Sequence, residues 1–235
     1  MRCWIGVLIA VALSGCAVAP TRAPAPAPAA QASPQVARPG AADVSRFRAV
    51  VARVEPVAER ICRQETANMN CDFNIGVAPR ADLPPNALQT LDKDGRPVLL
   101  FTQALLAHVD NADELAFVLS HEAAHHIAGH IPRSQRSAVT GAIVLGGLAT
   151  ILGADSAGVE AAIDSGAALG ARRYSKDFEL EADAIGTVIA HRAGYDPVRG
   201  AVYFSRIADP GDRFLGTHPP NAQRIETVRR VAAGL

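Results

Sequence analysis

Apolar residues recur at alternating steps of three and four along much of the chain, which is the spacing of one face of an α-helix. The first such stripe runs from Val44 to Ile61 and contains Pro56. Because proline lacks the N–H that a helix interior needs, we expect Pro56 to kink or restart this helix. The same periodicity predicts helices over residues 105–130, 177–192, 197–207 and 219–232, with Asn111 capping a second helical segment inside the first of these.

Shorter apolar runs lie between the first two helical regions. Residues 73–78, 87–91 and 97–101 have the length and composition of β-strands. The sequence Asp92-Lys93-Asp94-Gly95 predicts a turn between the last two, because Asp and Gly accept the backbone angles of a chain reversal. We therefore expect an α+β fold, mainly helical, with a small antiparallel sheet beside the helix that follows Asn111.

One long segment carries no charge. Residues 139–154 are rich in Gly, Ala and aliphatic side chains, and they lie between Arg136 and Asp155. The run is shorter than the roughly 18 residues of a membrane-spanning helix. We expect a buried helical hairpin that continues to about Gly170, and the alternative is a segment that enters the bilayer surface.

The N-terminus has the order of an export signal. Arg2 precedes an apolar run from Trp4 to Leu13, and Leu13-Ser14-Gly15-Cys16 follows. This tetrapeptide resembles a bacterial lipobox, so residues 1–15 are interpreted as a lipoprotein signal peptide and Cys16 as the lipidated residue. Ala17 follows the cysteine in place of an aspartate, which favours the outer membrane. An ordinary signal peptide with a chance cysteine is the alternative.

Composition bounds the rest of the chain. Residues 16–42 are rich in Pro and Ala, which is typical of an extended linker, and residues 43–235 have the length of one domain. Lys plus Arg and Asp plus Glu number 23 each, so no broad basic field points to nucleic acid. Cys62 and Cys71 remain as an even pair in an exported chain, and we predict a disulfide between them. Two buried free thiols are the alternative.

The candidate chemistry lies in His121-Glu122-Ala123-Ala124-His125. Two histidines one helical turn apart can direct their nitrogens at one ion, and Glu122 beside them can act as a general base without being a ligand. Zinc suits this pattern because it activates water at neutral pH, so one Zn²⁺ per chain is expected. A solvated helix that is merely rich in histidine, with His126 and His130, is the alternative.

A catalytic zinc site needs a third protein ligand. Gly129 and His130 are each displaced by one residue from the metzincin pattern, which disfavours His130. In the acidic segment 178–183, Glu179 and Asp183 share a helix face and Glu181 points elsewhere. We predict Glu179 as the ligand and Asp183 as the group that orients a ligating histidine. Three solvated carboxylates at a helix start are the alternative.

Several motifs together resemble the HtpX/BepA/LoiP-type zinc metallopeptidase family over most of residues 44–235. They are Asn86-Ala87, Glu114-Leu115-Ala116, the histidine motif, Glu179-Leu180-Glu181-Ala182-Asp183, Gly194-Tyr195-Asp196-Pro197 and Thr217-His218-Pro219. The resemblance implies a gluzincin-like fold with zinc on the two histidines and the first glutamate of the acidic motif. It also implies that His218 lies near the metal, either stabilising the oxyanion or occupying the open position in a resting form. Arg224 is a weaker candidate for the same neighbourhood.

The expected function is a zinc-dependent endopeptidase on the periplasmic face of the cell envelope, tethered through Cys16. Its substrates would be peptide bonds in misfolded or unassembled proteins, attacked by a zinc-activated water. The principal alternative is a chaperone-like outer-membrane assembly factor with a self-inhibited or weakly active site, and a purely structural zinc site is a third. The sequence indicates no particular substrate, protein partner or oligomeric state.

Overall fold

The computed structural model describes residues 37–173, 175–209 and 219–235. The predicted signal peptide, Cys16, most of the predicted linker and His218 lie outside these residues. The elements are α1 Ala41–Glu65, β1 Asn74–Val77, β2 Ala87–Leu91, β3 Pro97–Phe101, α2 Gln103–His108, α3 Ala112–Ile127, α4 His130–Ile151, α5 Ser156–Arg173, α6 Ser175–Arg192, α7 Pro197–Gly200, a 3₁₀ helix Ala201–Ser205 and α8 Asn221–Ala232. The fold is α+β and mainly helical, as the sequence predicts.

Helix α1 continues through Pro56 as one helix, so the expected restart is wrong. Proline removes the hydrogen bond to the carbonyl of Ala52, and both residues are exposed, so water can take that carbonyl. The helix begins at Ala41, so residues 41 and 42 belong to it and not to the linker. Near its end, Cys62 forms a disulfide with Cys71, with 5.7 Å between their Cα atoms, as predicted from the sequence.

The three predicted strands form one sheet, but the sheet is mixed and the expectation of an antiparallel sheet is wrong. The strand order is β1-β3-β2, with β1 parallel and β2 antiparallel to β3. The turn at Asp92–Gly95 joins β2 to β3 directly, whereas residues 78–86 carry the chain from β1 across to the far side of β3. Strand β3 is the most buried of the three, which suits its central position. Strand β2 lies at the edge and contacts α3.

Helix α3 lies at the centre of the domain and contacts α1, α6 and α7. Its apolar residues are buried around most of its circumference, which is typical of a helix enclosed by neighbours. Asn111 caps it as predicted, since its side-chain oxygen accepts hydrogen bonds from the N–H groups of Asp113 and Glu114. A Cβ on Gly186 of α6 would lie 3.0 Å from the backbone nitrogen of His121. This close approach brings the acidic face of α6 onto the histidines of α3.

Helices α4 and α5 form the predicted hairpin, but the expectation that it is buried is wrong. The two helices meet through small residues, and a Cβ on Gly166 would lie 2.2 Å from the carbonyl oxygen of Gly141. The larger apolar residues therefore face outward, and Ile151 and Leu152 at the tip are 83% and 76% exposed. In the part of the chain that the structure describes, no helix has the length and apolar character to cross a membrane. Entry into a bilayer surface stays a prediction.

The C-terminal elements follow the sequence prediction with one change. Helix α6 ends at Arg192, and Gly194 then adopts a φ of +81°, which glycine accepts more readily than other residues. Asp196 caps the next helix by accepting from the N–H groups of Val198 and Arg199. The predicted single helix 197–207 is in fact α7 followed by the 3₁₀ helix, which packs against α8.

Candidate metal centre

Helices α3 and α6 bring the three predicted ligands together. The Nε2 atoms of His121 and His125 lie 3.0 Å apart. The carboxylate of Glu179 lies 3.5 Å from His121 Nε2 through Oε2 and 3.3 Å from His125 Nε2 through Oε1. One donor atom from each of the three residues lies within 4.8 Å of the other two. Among the described residues, 37–173, 175–209 and 219–235, these three form the cluster of side chains that could hold a metal ion.

The donor set fits zinc. Zinc takes imidazole nitrogen and carboxylate oxygen at about 2.0–2.2 Å in tetrahedral geometry, which places donor atoms about 3.3 Å from one another. The two Nε2 atoms lie 3.0 Å apart, and they lie 3.5 and 3.3 Å from different oxygens of Glu179, all close to that value. Two imidazoles and one carboxylate leave one tetrahedral position for another group, which is the arrangement of a catalytic zinc site.

Asp183 lies where the sequence predicts a supporting group. Its Oδ1 is 2.9 Å from Nδ1 of His121, so it accepts the N–H and directs the Nε2 of that ring at the other donors. Burial and the nearby Arg224 oppose protonation of His121, but the hydrogen bonds to Asp183 and Glu179 outweigh them and raise the pKa of His121 to about 9. Without metal, the imidazole of His121 is therefore protonated at neutral pH, and a metal ion has to displace that proton.

Arg224 is far more important than its sequence context indicates. Its Nε and Nη2 donate to the two carboxylate oxygens of Asp183 at 2.8 and 2.7 Å, and its guanidinium lies 3.8 Å from the ring centre of Phe204. Burial alone would raise the pKa of Asp183, but the hydrogen bonds from Arg224 and His121 lower it. Arg224 thus keeps a fully buried carboxylate ionised. Most arginines are solvated, so the sequence carried no strong signal for this pair.

Glu122 lines the same cavity as the ligands but is not one of them. Burial raises the pKa of its carboxyl above the usual range, although the neighbouring histidines oppose the shift. A carboxylate with a raised pKa is better suited to accept and return a proton near neutral pH. This position agrees with the role of general base predicted from the sequence.

His130 does not join the ligands, which agrees with the sequence, yet it contacts one of them. Its Nδ1 lies 2.8 Å from Nδ1 of His125, and its Nε2 lies 3.2 Å from Oε2 of Glu181. Glu181 points away from the donor group, as predicted, and accepts a 2.7 Å hydrogen bond from Arg133. Burial and the neighbouring His125 lower the pKa of His130 to about 4, so its ring is neutral at physiological pH. Sequence spacing did not reveal this contact.

The donors open onto a cavity of about 680 Å³. One wall is the start of β2 and the residues before it, from Pro85 to Gln89. Other walls include Phe178, Tyr203 and Asn221. The cavity is large enough for several residues of an extended peptide, and the edge strand β2 lies beside it.

Comparison with known proteins agrees with this geometry. The sequence profile of peptidase family M48 matches residues 49–232. The chain is 34% identical over 142 residues to a putative beta-barrel assembly-enhancing protease of Vibrio cholerae, which covers 54% of this chain and 29% of that protein. It is 30% identical over 142 residues to the beta-barrel assembly-enhancing protease of Escherichia coli, covering 55% of this chain and 29% of that protein.

A eukaryotic relative has a similar level of identity. The mitochondrial metalloendopeptidase OMA1 of Saccharomyces cerevisiae is 30% identical over 148 residues, covering 58% of this chain and 41% of that protein. The matched regions thus span less than half the length of these relatives. The profile match, in contrast, extends over most of the present chain and includes every donor residue described above. The chain therefore belongs to peptidase family M48, a family of zinc-dependent metallopeptidases.

Proposed function

We propose that this protein is a zinc-dependent endopeptidase whose metal is held by His121, His125 and Glu179. The observation that carries the proposal is the meeting of these three donors with Glu122 in one cavity beside an edge strand. A purely structural metal site would need four protein ligands and no cavity for a substrate. The described donor group has three, and the cavity opens directly onto it.

The side chains of this protein divide the work of hydrolysis. Zinc, when bound, supplies Lewis acidity. Glu122 accepts the proton of the attacking water and delivers it to the leaving amine nitrogen, a task for which its raised pKa suits it. Asp183 holds His121 in the tautomer that directs Nε2 at the metal position. His121 and Asp183 are both buried, which keeps water from competing for the hydrogen bond between them.

A peptide substrate would bind in extended form along β2. Among the described strands, β2 pairs only with β3, so its other edge can donate and accept main-chain hydrogen bonds. Leu88, which is 40% exposed, lies on this strand and also lines the cavity. Binding through the main chain places few demands on substrate side chains, which supports broad selectivity for unfolded segments.

His218 is proposed to stabilise the oxyanion or, in a resting form, to occupy the open metal position. This residue lies outside the described part of the chain. Support comes from the family resemblance and from Asn221, which follows three positions later and lines the cavity. A side chain that donates a hydrogen bond to developing negative charge is worth several kcal/mol in comparable mechanisms, about 2.7–4 kcal/mol per donor.

The proposed location is the periplasmic side of the outer membrane, with Cys16 as the lipid anchor. The N-terminal motif supports export, and the Cys62–Cys71 disulfide fits an oxidising compartment. Two relatives are named for enhancing beta-barrel assembly. On this basis we propose that the substrates are misfolded or unassembled envelope proteins.

Purified mature protein loaded with zinc tests the proposal against an unfolded substrate. Glu122→Gln should lower cleavage by about 10²–10⁴-fold, the usual contribution of a general base, while zinc stays bound. His218→Ala either lowers cleavage, as an oxyanion group would, or raises it, as release of a resting ligand would. Wild-type protein that binds unfolded substrate without cleavage dependent on Glu122, and that His218→Ala does not activate, would support an assembly factor instead.

A further inference from the structure

We infer that His130 and Glu181 form a positioning chain that fixes the tautomer and orientation of His125 as a metal ligand. The inference rests on the proposed zinc site and adds two residues that sequence spacing set aside. The sequence disfavours His130 as a ligand and predicts that Glu181 points away from the metal, and the geometry agrees with both. The two side chains instead lie on the side of His125 that faces away from the metal position.

The hydrogen bonds permit one arrangement of protons when Nε2 of His125 holds a metal. A neutral imidazole carries one N–H, so the proton of His125 must then be on Nδ1. That N–H donates to Nδ1 of His130 across 2.8 Å, which requires the proton of His130 to be on Nε2. His130 Nε2 in turn donates to Oε2 of Glu181 across 3.2 Å. Each N–H donor therefore has an acceptor. Because the carboxylate of Glu181 can only accept, both hydrogen bonds are donated in the direction from His125 to Glu181.

His130 is held firmly in the required place. Its ring is 5% exposed and stacks on Phe178, with 4.4 Å between ring centres and 11° between planes. Arg133 donates to Glu181 across 2.7 Å, and its guanidinium also lies 4.4 Å from the Phe178 ring centre. These contacts restrict rotation of His130, as a positioning role requires.

The turn between α3 and α4 makes this contact possible. Gly129 has a φ of +64°, a left-handed conformation that side-chain-bearing residues rarely adopt. The reversal at this glycine begins α4 at His130 and returns the imidazole onto His125, which is five positions earlier. A helix that continued straight past Ala128 would direct residue 130 away from residue 125.

The two histidine ligands are then supported in parallel ways. His121 contacts Asp183, which Arg224 holds, and His125 contacts His130, whose carboxylate partner is held by Arg133. The second support contains an extra imidazole and reaches the surface, since the Glu181 side chain is 40% exposed. We therefore expect it to contribute less to metal affinity than the Asp183 support.

Zinc affinity of the full mature protein, measured by competition with a chromophoric chelator, tests the inference. His130→Leu should weaken zinc binding by about 10–100-fold, the usual cost of removing an outer partner of a ligand. His130→Asn should retain more affinity, because its amide oxygen can accept the N–H of His125. Glu181→Gln should have an intermediate effect in wild type and no further effect in the His130→Leu background.

His126→Gln is the matched control. His126 is the next residue after the ligand and is equally buried, but its Nε2 contacts the carbonyl oxygen of Asn70 across 2.7 Å. This variant should bind zinc as wild type does. Cobalt(II) gives a second readout, because His130→Leu should change the visible absorption of the bound ion, whereas a variant that only lowers stability should leave that spectrum unchanged.

The His125→Ala variant separates the possible failures. If His125→Ala binds zinc as tightly as wild type, the ligand assignment and this inference are both wrong. If His125→Ala loses zinc but His130→Leu retains wild-type affinity and an unchanged cobalt spectrum, only the inference is wrong. If His130→Leu does not fold, the other two variants decide. Wild-type zinc affinity in both His130→Asn and Glu181→Gln would then show that the inference is wrong.

Discussion

The metal centre and the α4–α5 hairpin are both helix pairs that approach closely over glycine, but they enclose different surfaces. At the centre, Gly186 allows α6 to approach the backbone of His121, and the helices enclose charged and polar groups. In the hairpin, Gly166 allows α5 to approach the backbone of Gly141, and the helices enclose mostly small residues. Asp183 is 0% exposed at the centre, whereas Ile151 is 83% exposed at the hairpin tip.

This difference shows that apolar composition does not by itself predict burial. The uncharged hairpin is mostly exposed. Asp183 and Arg224, in contrast, are buried beside the ligands, because two hydrogen bonds and opposite charges pair the carboxylate with the guanidinium. A buried charge without its partner is strongly destabilising, so the centre depends on paired groups and the hairpin does not.

The largest effect on stability is expected from Arg224→Met. Removing the guanidinium leaves the buried carboxylate of Asp183 without its main partner, which should lower the free energy of unfolding by about 3–5 kcal/mol. Urea unfolding of the variant and the wild type measures this loss. Arg80→Met is the control, because Arg80 pairs with Asp82 on the surface and its loss should leave the midpoint unchanged. Equal effects of both variants would contradict the assigned role of Arg224.

Valine at the two glycines separates the regions directly. Gly186→Val should push α6 away from α3, lowering stability by about 1–3 kcal/mol and weakening zinc binding. Gly166→Val should separate α4 from α5 and increase proteolysis of the hairpin, but leave zinc affinity as in wild type. Chelator competition and limited proteolysis measure the two outcomes. Loss of zinc from Gly166→Val would show that the hairpin supports the centre.

Acid should weaken the ion pair between Glu114 and Arg206. Burial favours the protonated carboxyl, but hydrogen bonds from Arg206 and the N–H of Asp110 outweigh burial and lower the pKa of Glu114 below its ordinary value of 4.5. The pair therefore stabilises the fold above that value, and the contribution is lost as pH falls through the lower, folded-state pKa.

Unfolding free energies of wild type and Glu114→Gln from pH 7 to pH 3 check this expectation. The variant should be less stable at pH 7, and the difference should shrink as the solution becomes more acidic. Glu160→Gln, on the exposed side of α5, is the control and should follow the wild-type profile. A difference between wild type and Glu114→Gln that stays constant down to pH 3 would contradict the assignment.

The smallest effect is expected at the hairpin tip. Ile151→Ser and Leu152→Ser should each change the free energy of unfolding by no more than about 0.5 kcal/mol, because both side chains are largely exposed. Leu115→Ala in the enclosed helix α3 should instead lower it by about 2–5 kcal/mol. A large loss at the tip would show that another surface covers these residues in solution.

Local signals predicted much of this fold. The bounds of β2 and β3 agree with the sequence because turn chemistry at Asp92–Gly95 defines both strands. The pairing of β1 was missed because the path of residues 78–86 depends on which strand becomes most buried. The sequence did not predict the exposure of the hairpin, because an uncharged, Gly- and Ala-rich helix has the same composition whether or not other elements pack against it.

Part of the site could also be predicted from the sequence. Helical spacing places His121 and His125 on one face of α3, and Glu179 and Asp183 on one face of α6. The two faces meet in the structure. The contact of His130 with His125 depends on the left-handed turn at Gly129, which spacing along a helix does not include. Arg224 comes from a distant helix, and only tertiary packing brings it to Asp183.

Zinc content of the purified protein tests the central claim most directly. After dialysis against metal-free buffer, wild type should retain one zinc per chain, and Glu160→Ala on the hairpin should match it. Glu179→Ala should bind zinc more weakly by over about 100-fold, beyond the loss expected for an outer partner of a ligand. Full and equally tight zinc binding by Glu179→Ala would contradict the assignment of His121, His125 and Glu179 as the metal site.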